Sequence, residues 1–299
     1  MDMLALLGAF GGGAFGAMLG ALPAFIMTGC FALVGGIVAL GGHNDVAVAF
    51  LAFGTFMGPH VSFGGGVAAA AYAGSRGKLK AGNDIMTSLN GTSSVDVIFI
   101  GGLFGVIAYI IWWLLMKTPL GPVTDAVAMT VAISGCIARL AFGKTGLLGK
   151  YTGKGPRVWI TGGKGFVYNV FLGACVGFAV SFVAAMMKNA GVPDTALSYF
   201  PTVCFGFSAI TMIFAQIGCA SPTTHHITLP SGLGALVGMA AWGPYGAFLG
   251  VIIGILSSLY GDFVANTFNS WNDTHIDPPA MTIFVMTIVV NVIGMIVLH

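Results

Sequence analysis

Charge is nearly missing from this sequence: 7% of its 299 residues are Asp, Glu, Lys or Arg, while 57% are hydrophobic. A soluble domain carries about 25% charged residues, so this chain cannot dress a water-facing exterior. The pattern excludes a soluble globular domain, a disordered chain and a nucleic-acid binder. What is left is an integral membrane protein whose main partner is the lipid bilayer. A spanning helix needs about 20 apolar residues. Apolar runs fall at 13–41, 45–58, 95–116, 122–143, 165–187, 196–219, 226–241, 244–265 and 278–298, and a glycine-rich stretch occupies 59–75. That makes about ten membrane elements. Residues 1–12 are apolar but too short to span, and are expected to extend the first helix or lie in the interface.

The two halves of the chain resemble each other. Asp125 to Thr130 reads DAVAMT, and Asp277 to Thr282 reads DPPAMT; each opens an apolar run. Earlier in each half, His60 to Gly66 (HVSFGGG) reads against His226 to Gly232 (HITLPSG). Gly101 and Gly105 read against Gly246 and Gly250, and Leu19 to Ala21 against Leu172 to Ala174, in the same order along the chain. The expected organisation is repeat one at 1–143, a basic linker at 144–164, and repeat two at 165–299. Each repeat would have five elements. Five is odd, so the second copy enters the membrane from the opposite side. The predicted fold class is therefore an all-α integral membrane protein with two five-element inverted repeats, each with a broken, half-helix third element.

The charges orient it. Cytoplasmic loops are enriched in Lys and Arg. With the linker (Lys144, Lys150, Lys154, Arg157, Lys164) placed inside, the loop holding Arg76, Lys78 and Lys80 also falls inside, so eight of the 11 basic residues share one face. Both termini then lie outside, and the protein belongs in a cell membrane as a multi-pass chain.

The paired third elements are the first site candidate. Pro59, Pro230 and their glycines disfavour a continuous helix, and irregular backbone survives at membrane depth only where protein or water satisfies it. Each element is expected to be an unwound stretch followed by a half-helix, from Val67 in one copy and Leu233 in the other. Half-helix N-termini carry free N–H groups and partial positive charge, and inverted repeats bring two of them together near the midplane. The expected substrate site is thus His60, Ser62, Gly64, Gly65 and Gly66 with His226, Thr228, Ser231 and Gly232. The competing view is that these glycines only let helices cross closely.

Histidine within a membrane is a functional candidate, and its ordinary pKa near 6.5 suits proton coupling. His60 and His226 are duplicated and rank above His225; His43 and His275 read as loop or interface residues. Asp125 and Asp277 open a helix in both copies, where Asp serves as an N-cap; as buried carboxylates they are also ion-coupling candidates beside His60 and His226. Arg139, near an inner helix end, is expected to snorkel to the interface. Asn169 and Gln216 line a cavity or bond between helices. The five cysteines sit in or beside apolar runs with no metal-type spacing and read as small core residues.

No P-loop and no catalytic set with recognisable context occurs, so neither an ATP-driven motor nor an enzyme is expected, and no cofactor or metal beyond H⁺ or Na⁺ as a coupling ion. The functional expectation is a secondary active transporter of a small polar, anionic solute. The alternative is a passive channel for a small solute or ion. Glycine-rich faces are also compatible with a homo-oligomer.

Overall fold

The computed structural model of the chain describes residues 2–298. Among these, all regular structure is helical: α1 (Met3–Leu19), α2 (Ala21–Leu40), α3 (Ser62–Ser75), α4 (Val95–Leu115), α5 (Ala126–Phe142), α6 (Lys164–Asn189), α7 (Asp194–Leu197), α8 (Phe200–Ile210), α9 (Met212–Gln216), α10 (His225–Trp242), α11 (Leu249–Val264) and α12 (Pro278–Val297). Short π-helical turns occupy Ala47–Ala52 and Ala265–Asn269. Six helical stretches are long and apolar enough to cross a membrane: 21–40, 95–115, 164–189, 194–216, 244–269 and 278–297. Helices α1 and α5 are apolar but shorter. The long helices carry exposed large side chains such as Phe171 and Phe182 on α6 and Ile296 on α12. In water such a surface would aggregate; in lipid it is the ordinary exterior of a multi-pass membrane protein.

Local chemistry sets the helix starts. The Asp125 carboxylate accepts the Ala128 N–H at 2.8 Å, and the Asp277 carboxylate accepts the Ala280 N–H at 2.8 Å. Each thereby satisfies one of the donors that a helix leaves free. One turn on, the Thr130 hydroxyl donates to the Ala126 carbonyl and the Thr282 hydroxyl to the Pro278 carbonyl.

Three expectations are corrected. The run 13–41 is not one span: the chain reverses at Gly20, whose φ of 96° lies where glycine is favoured, so α1 and α2 are separate helices. The run 45–58 is not a span either. Its π-helical turn brings the chain back along α2, where the Thr28 hydroxyl donates to the Met57 carbonyl. The third elements, finally, are helical from further upstream. Helix α3 runs from Ser62 straight through Gly64–Gly66, and α10 runs from His225 through Pro230. Pro230 is tolerated because it lies in the second turn, where one lost bond has only one preceding turn to disturb. The α3 glycines are held helical by the backbones packed against them.

Packing is repeated along the chain. Helix α1 packs on α3 and α4 as α6 packs on α10 and α11, and α5 packs on α3 as α12 packs on α10. The crossings are close: a Cβ on Gly13 would lie 2.3 Å from the Gly101 carbonyl oxygen, and one on Gly173 would lie 2.6 Å from that of Gly254. Two seams join the halves, and both are antiparallel. In the α2–α8 seam, Gly29 faces Ala209 and Gly36 faces Val203. In the α5–α12 seam, Thr124 donates to the Phe284 carbonyl, Asn291 donates to that of Val123, and Gly135 faces Ile276.

The basic linker is strapped to the α11–α12 connection. The Arg157 guanidinium donates to the carbonyls of Leu148, Asn266 and Thr267. Asp262 accepts the N–H and hydroxyl of Thr161, and Asp273 accepts the Lys144 N–H and the Thr145 hydroxyl. Burial works against the Asp273 carboxylate, but Thr145, Lys144 and the nearby Arg139 outweigh it and hold its pKa below the usual value. Arg139 does not snorkel. It is 1% exposed, and its guanidinium is shared among Thr274, Leu147 and Phe268. Arg139 turns inward because these loop carbonyls lie within its reach and need donors. Hydrogen bonds to charged groups contribute about 1.5–3 kcal/mol, so Arg157→Ala is expected to speed tryptic cleavage at Lys150 and Lys154 by about tenfold. An unchanged cleavage rate would show that the linker is not held by this residue.

Candidate functional site

The first turn of α10, the last turns of α9 and α11, and the approach to α12 border a cavity of about 450 Å³. Helices α2, α3 and α6 complete its wall through Leu22, Phe25, Phe63, Asn169 and Leu172. The volume lies within the range of small-molecule sites, about 300–1,000 Å³.

Its polar groups converge from the second half of the chain. His225 and His226 open α10 and are 5% and 9% exposed. The Nδ1 atoms of both rings are buried without a hydrogen-bond partner. Thr224, which precedes them, gives no side-chain cap, though its carbonyl accepts the Ile227 and Thr228 N–H groups at 2.8 and 2.9 Å. Across from them, His275 Nε2 stands 3.2 Å from Asp277 Oδ1, and the same carboxylate caps α12. Asp262, also on the wall, is engaged by Thr161. Both carboxylates are therefore already supplied with donors, while the start of α10 has no side-chain cap. Among the described residues no three His, Cys, Asp or Glu side chains lie close enough together to hold a metal ion.

Behind Phe25 and Phe63 lies a second chamber of about 30 Å³. The rings of Phe25, Phe53, Phe63 and Phe205 wall it, and Asp125, Asp277 and His225 are its ionisable groups. Phe25 touches both third elements, with its ring 5.7 Å from Phe63 of α3 and 4.7 Å from His225 of α10. The starts of α3, α5, α10 and α12 thus meet around this chamber.

The residues named from sequence are distributed as follows. His226 lines the large cavity. His60 does not; it is buried in the turn before α3, its Nδ1 unpartnered and its ring 5.8 Å from that of Trp112. The Ser62 hydroxyl faces the carbonyls of Met57 and Gly58 at 3.1 and 3.3 Å. Gly64 faces Ser134, Gly65 packs on Gly13 and Gly101, and Gly66 on Ala21. Thr228 donates to the Cys204 carbonyl at 3.2 Å, Ser231 sits against Gly254 with its hydroxyl unpartnered, and Gly232 packs on Pro201. Asp125 and Asp277 meet at the small chamber. Asn169 lines the large cavity, whereas Gln216 donates to the Met86 carbonyl.

His275, read from sequence as a loop or interface residue, and His225, ranked below His226, both line the cavity. A signal for the first was present: His275 stands two residues before a helix-capping Asp, within reach of its carboxylate. His225 had no duplicated partner to mark it, because Pro59 stands in that place.

A family model described as a family of unknown function matches residues 1–155 and 164–298. No curated protein and no solved structure matches the chain.

Proposed function

This chain belongs to the family of unknown function DUF7973, and for it we propose secondary active transport of a small polar, anionic solute, driven by H⁺ or Na⁺. The observation that carries the reading is the start of α10: a helix N-terminus without a side-chain cap, opened by two buried histidines that line a cavity and whose Nδ1 atoms lack partners. A helix N-terminus favours anions. The apolar side of the cavity, with Phe25, Phe63 and Leu172, suits the carbon body of a small carboxylate.

The proposed architecture is two inverted five-element repeats, α1–α5 and α6–α12, with α7–α9 (194–216) counted as one element. The antiparallel seams, the repeated packing of α1–α3–α4 and α6–α10–α11, and the matching Asp caps support it. So does the division of the family match into two segments that part within the basic linker. With the linker cytoplasmic, the large cavity lies toward the inner face and both termini lie outside. The phenylalanine rings close the cavity on its far side, which favours a carrier with alternating access over an open channel.

Ligand-induced thermal stabilisation of the purified protein tests this. The panel holds small monocarboxylates, inorganic anions, neutral amides and alkylammonium ions, each with Na⁺ or K⁺ and at two pH values. A monocarboxylate is expected to raise the melting temperature, because a ligand at 100 times its Kd stabilises by about 2.7 kcal/mol. The shift is expected to vanish in His225→Ala with His226→Ala. Stabilisation by cations alone would sink the anion assignment. Uptake into vesicles that is unchanged when both ion gradients are collapsed would sink the coupling.

A further inference from the structure

We propose that the small chamber between the two halves is a proton site, with Asp125 as the carrier and His225 as its connection to the solute cavity. The inference takes its purpose from the transporter reading, but its chemistry stands on the chamber itself.

The chamber measures about 30 Å³, enough for one water molecule and no solute. It lies where α5 and α12 meet, and each contributes its capping Asp. The two caps are not equivalent. Asp277 has His275 beside it at 3.2 Å. The residue in the matching place before Asp125 is Val123, and among the described residues Asp125 has no ion-pair partner. Its carboxylate accepts the Ala128 N–H at 2.8 Å. A carboxylate with no ion-pair partner among four phenylalanine rings is expensive as an ion and is accommodated by neutralisation.

A proton meets that need better than a metal ion. Hard cations gather about six oxygen ligands, whereas the side-chain oxygens here belong to two carboxylates that already serve as caps. The walls are otherwise phenylalanine, aliphatic side chains and proline. The remaining ionisable neighbour is His225, 5% exposed, with an unpartnered Nδ1. His225 and Asp277 border both the chamber and the large cavity. The other helices packed on α5 add no competing charge: α3 and α12 carry none, and Asp96, the one charged side chain of α4, sits at that helix's far end. The step balances simply. Hydronium in the solute cavity gives a proton to the His225 ring, the ring passes one across the chamber, which has room for one bridging water, to the Asp125 carboxylate, and an O–H bond forms as the carboxylate becomes the acid. Release runs the same path backward.

Infrared difference spectroscopy after pH steps tests the site in the full-length protein, with no solute added. The wild type is expected to show a carboxylic acid C=O band that shifts in D₂O and is the same in Na⁺ and K⁺ buffers. Asp125→Asn is expected to abolish it while the protein stays folded, since Asn is as good an N-cap as Asp. His225→Phe is expected to keep the band but slow its rise by on the order of a hundredfold, the usual contribution of a positioned acid–base group. A band that persists in Asp125→Asn, no band in the wild type, or one erased by Na⁺ at fixed pH would each overturn the proposal. The readouts separate the two ideas. A band that behaves as expected in a protein that carries no solute leaves the proton site standing and the transporter reading fallen. Proton-driven uptake with an unaltered band in Asp125→Asn does the reverse.

Discussion

Arg139→Ala is expected to lower the unfolding free energy by about 3–5 kcal/mol, the cost of breaking a buried charged network from one side. Arg139 comes from α5 in the first half of the chain. Its Nε donates to the Thr274 hydroxyl at 2.8 Å and its Nη2 to the Thr274 carbonyl at 2.6 Å, both in the approach to α12. Nη1 reaches the Leu147 carbonyl at 2.8 Å and the Phe268 carbonyl. One side chain therefore fastens α5, the linker and the α11–α12 connection. Truncation takes donors from the Thr274, Leu147 and Phe268 carbonyls, of which Phe268 keeps the Asn272 amide; a buried carbonyl left unmet costs about 1–3 kcal/mol, and a cavity is left besides. Arg139→Lys is expected to recover less than half of the loss, because a single ammonium cannot span the planar fork that these acceptors describe. Denaturation midpoints in mixed micelles measure both variants. A loss under about 1 kcal/mol for Arg139→Ala would mean that water replaces the guanidinium without penalty.

Gly238→Ala is expected to be nearly as damaging. A Cβ there would lie 2.0 Å from the Gly246 carbonyl oxygen, and one on Gly246 would lie 1.9 Å from that of Gly238. The obstacle on both sides is backbone, which cannot rotate out of the way. Overpacking of this kind costs about 1–3 kcal/mol and occasionally more; this pair belongs at the upper end, because α10 must part from the turn before α11. Helix α10 also carries His225 and His226, so ligand stabilisation should fall along with stability. Gly11→Ala is the matched control. Gly11 is mid-helix in α1 with nothing within 4 Å of a Cβ, and alanine there is expected to stabilise by up to about 1 kcal/mol. The prediction fails if the two substitutions behave alike.

The second half of the chain was the more legible. Helices α6, α10 and α12 begin and end within a residue or two of their apolar runs, because Lys164, Asp277 and Pro278 mark the edges with charge and caps. The first half was less so. Gly20 reverses the chain between α1 and α2, but among 47 glycines it carries no contrast. The π-helical turn at Ala47–Ala52 is apolar enough to imitate part of a span. At the site, Asp125 and Asp277 were readable because a cap followed by Ala-Met-Thr is a local pattern. The inward turn of Arg139 was not, since it depends on carbonyls well over a hundred positions away in sequence. Nor was the helical state of Gly64–Gly66, which rests on Gly13, Ala21 and Gly101 packed against them.

The two seams between the halves differ in a way that sets how the molecule can swing. Along α2–α8 the backbones nearly touch: a Cβ on Gly206 would meet the Leu33 nitrogen at 2.4 Å, and one on Gly29 the Ala209 Cβ at 2.7 Å. Along α5–α12 a Cβ on Gly135 would find its nearest neighbours 3.6 Å away, and side-chain hydrogen bonds from Thr124, Asn291 and Arg139 do the fastening. Such an object behaves like a book bound along one edge. The α2–α8 spine resists sliding, so the free motion is a fanning apart at α5–α12. Amide deuterium uptake should therefore begin along the open edge, where Asp125 and Asp277 stand, and reach the spine last.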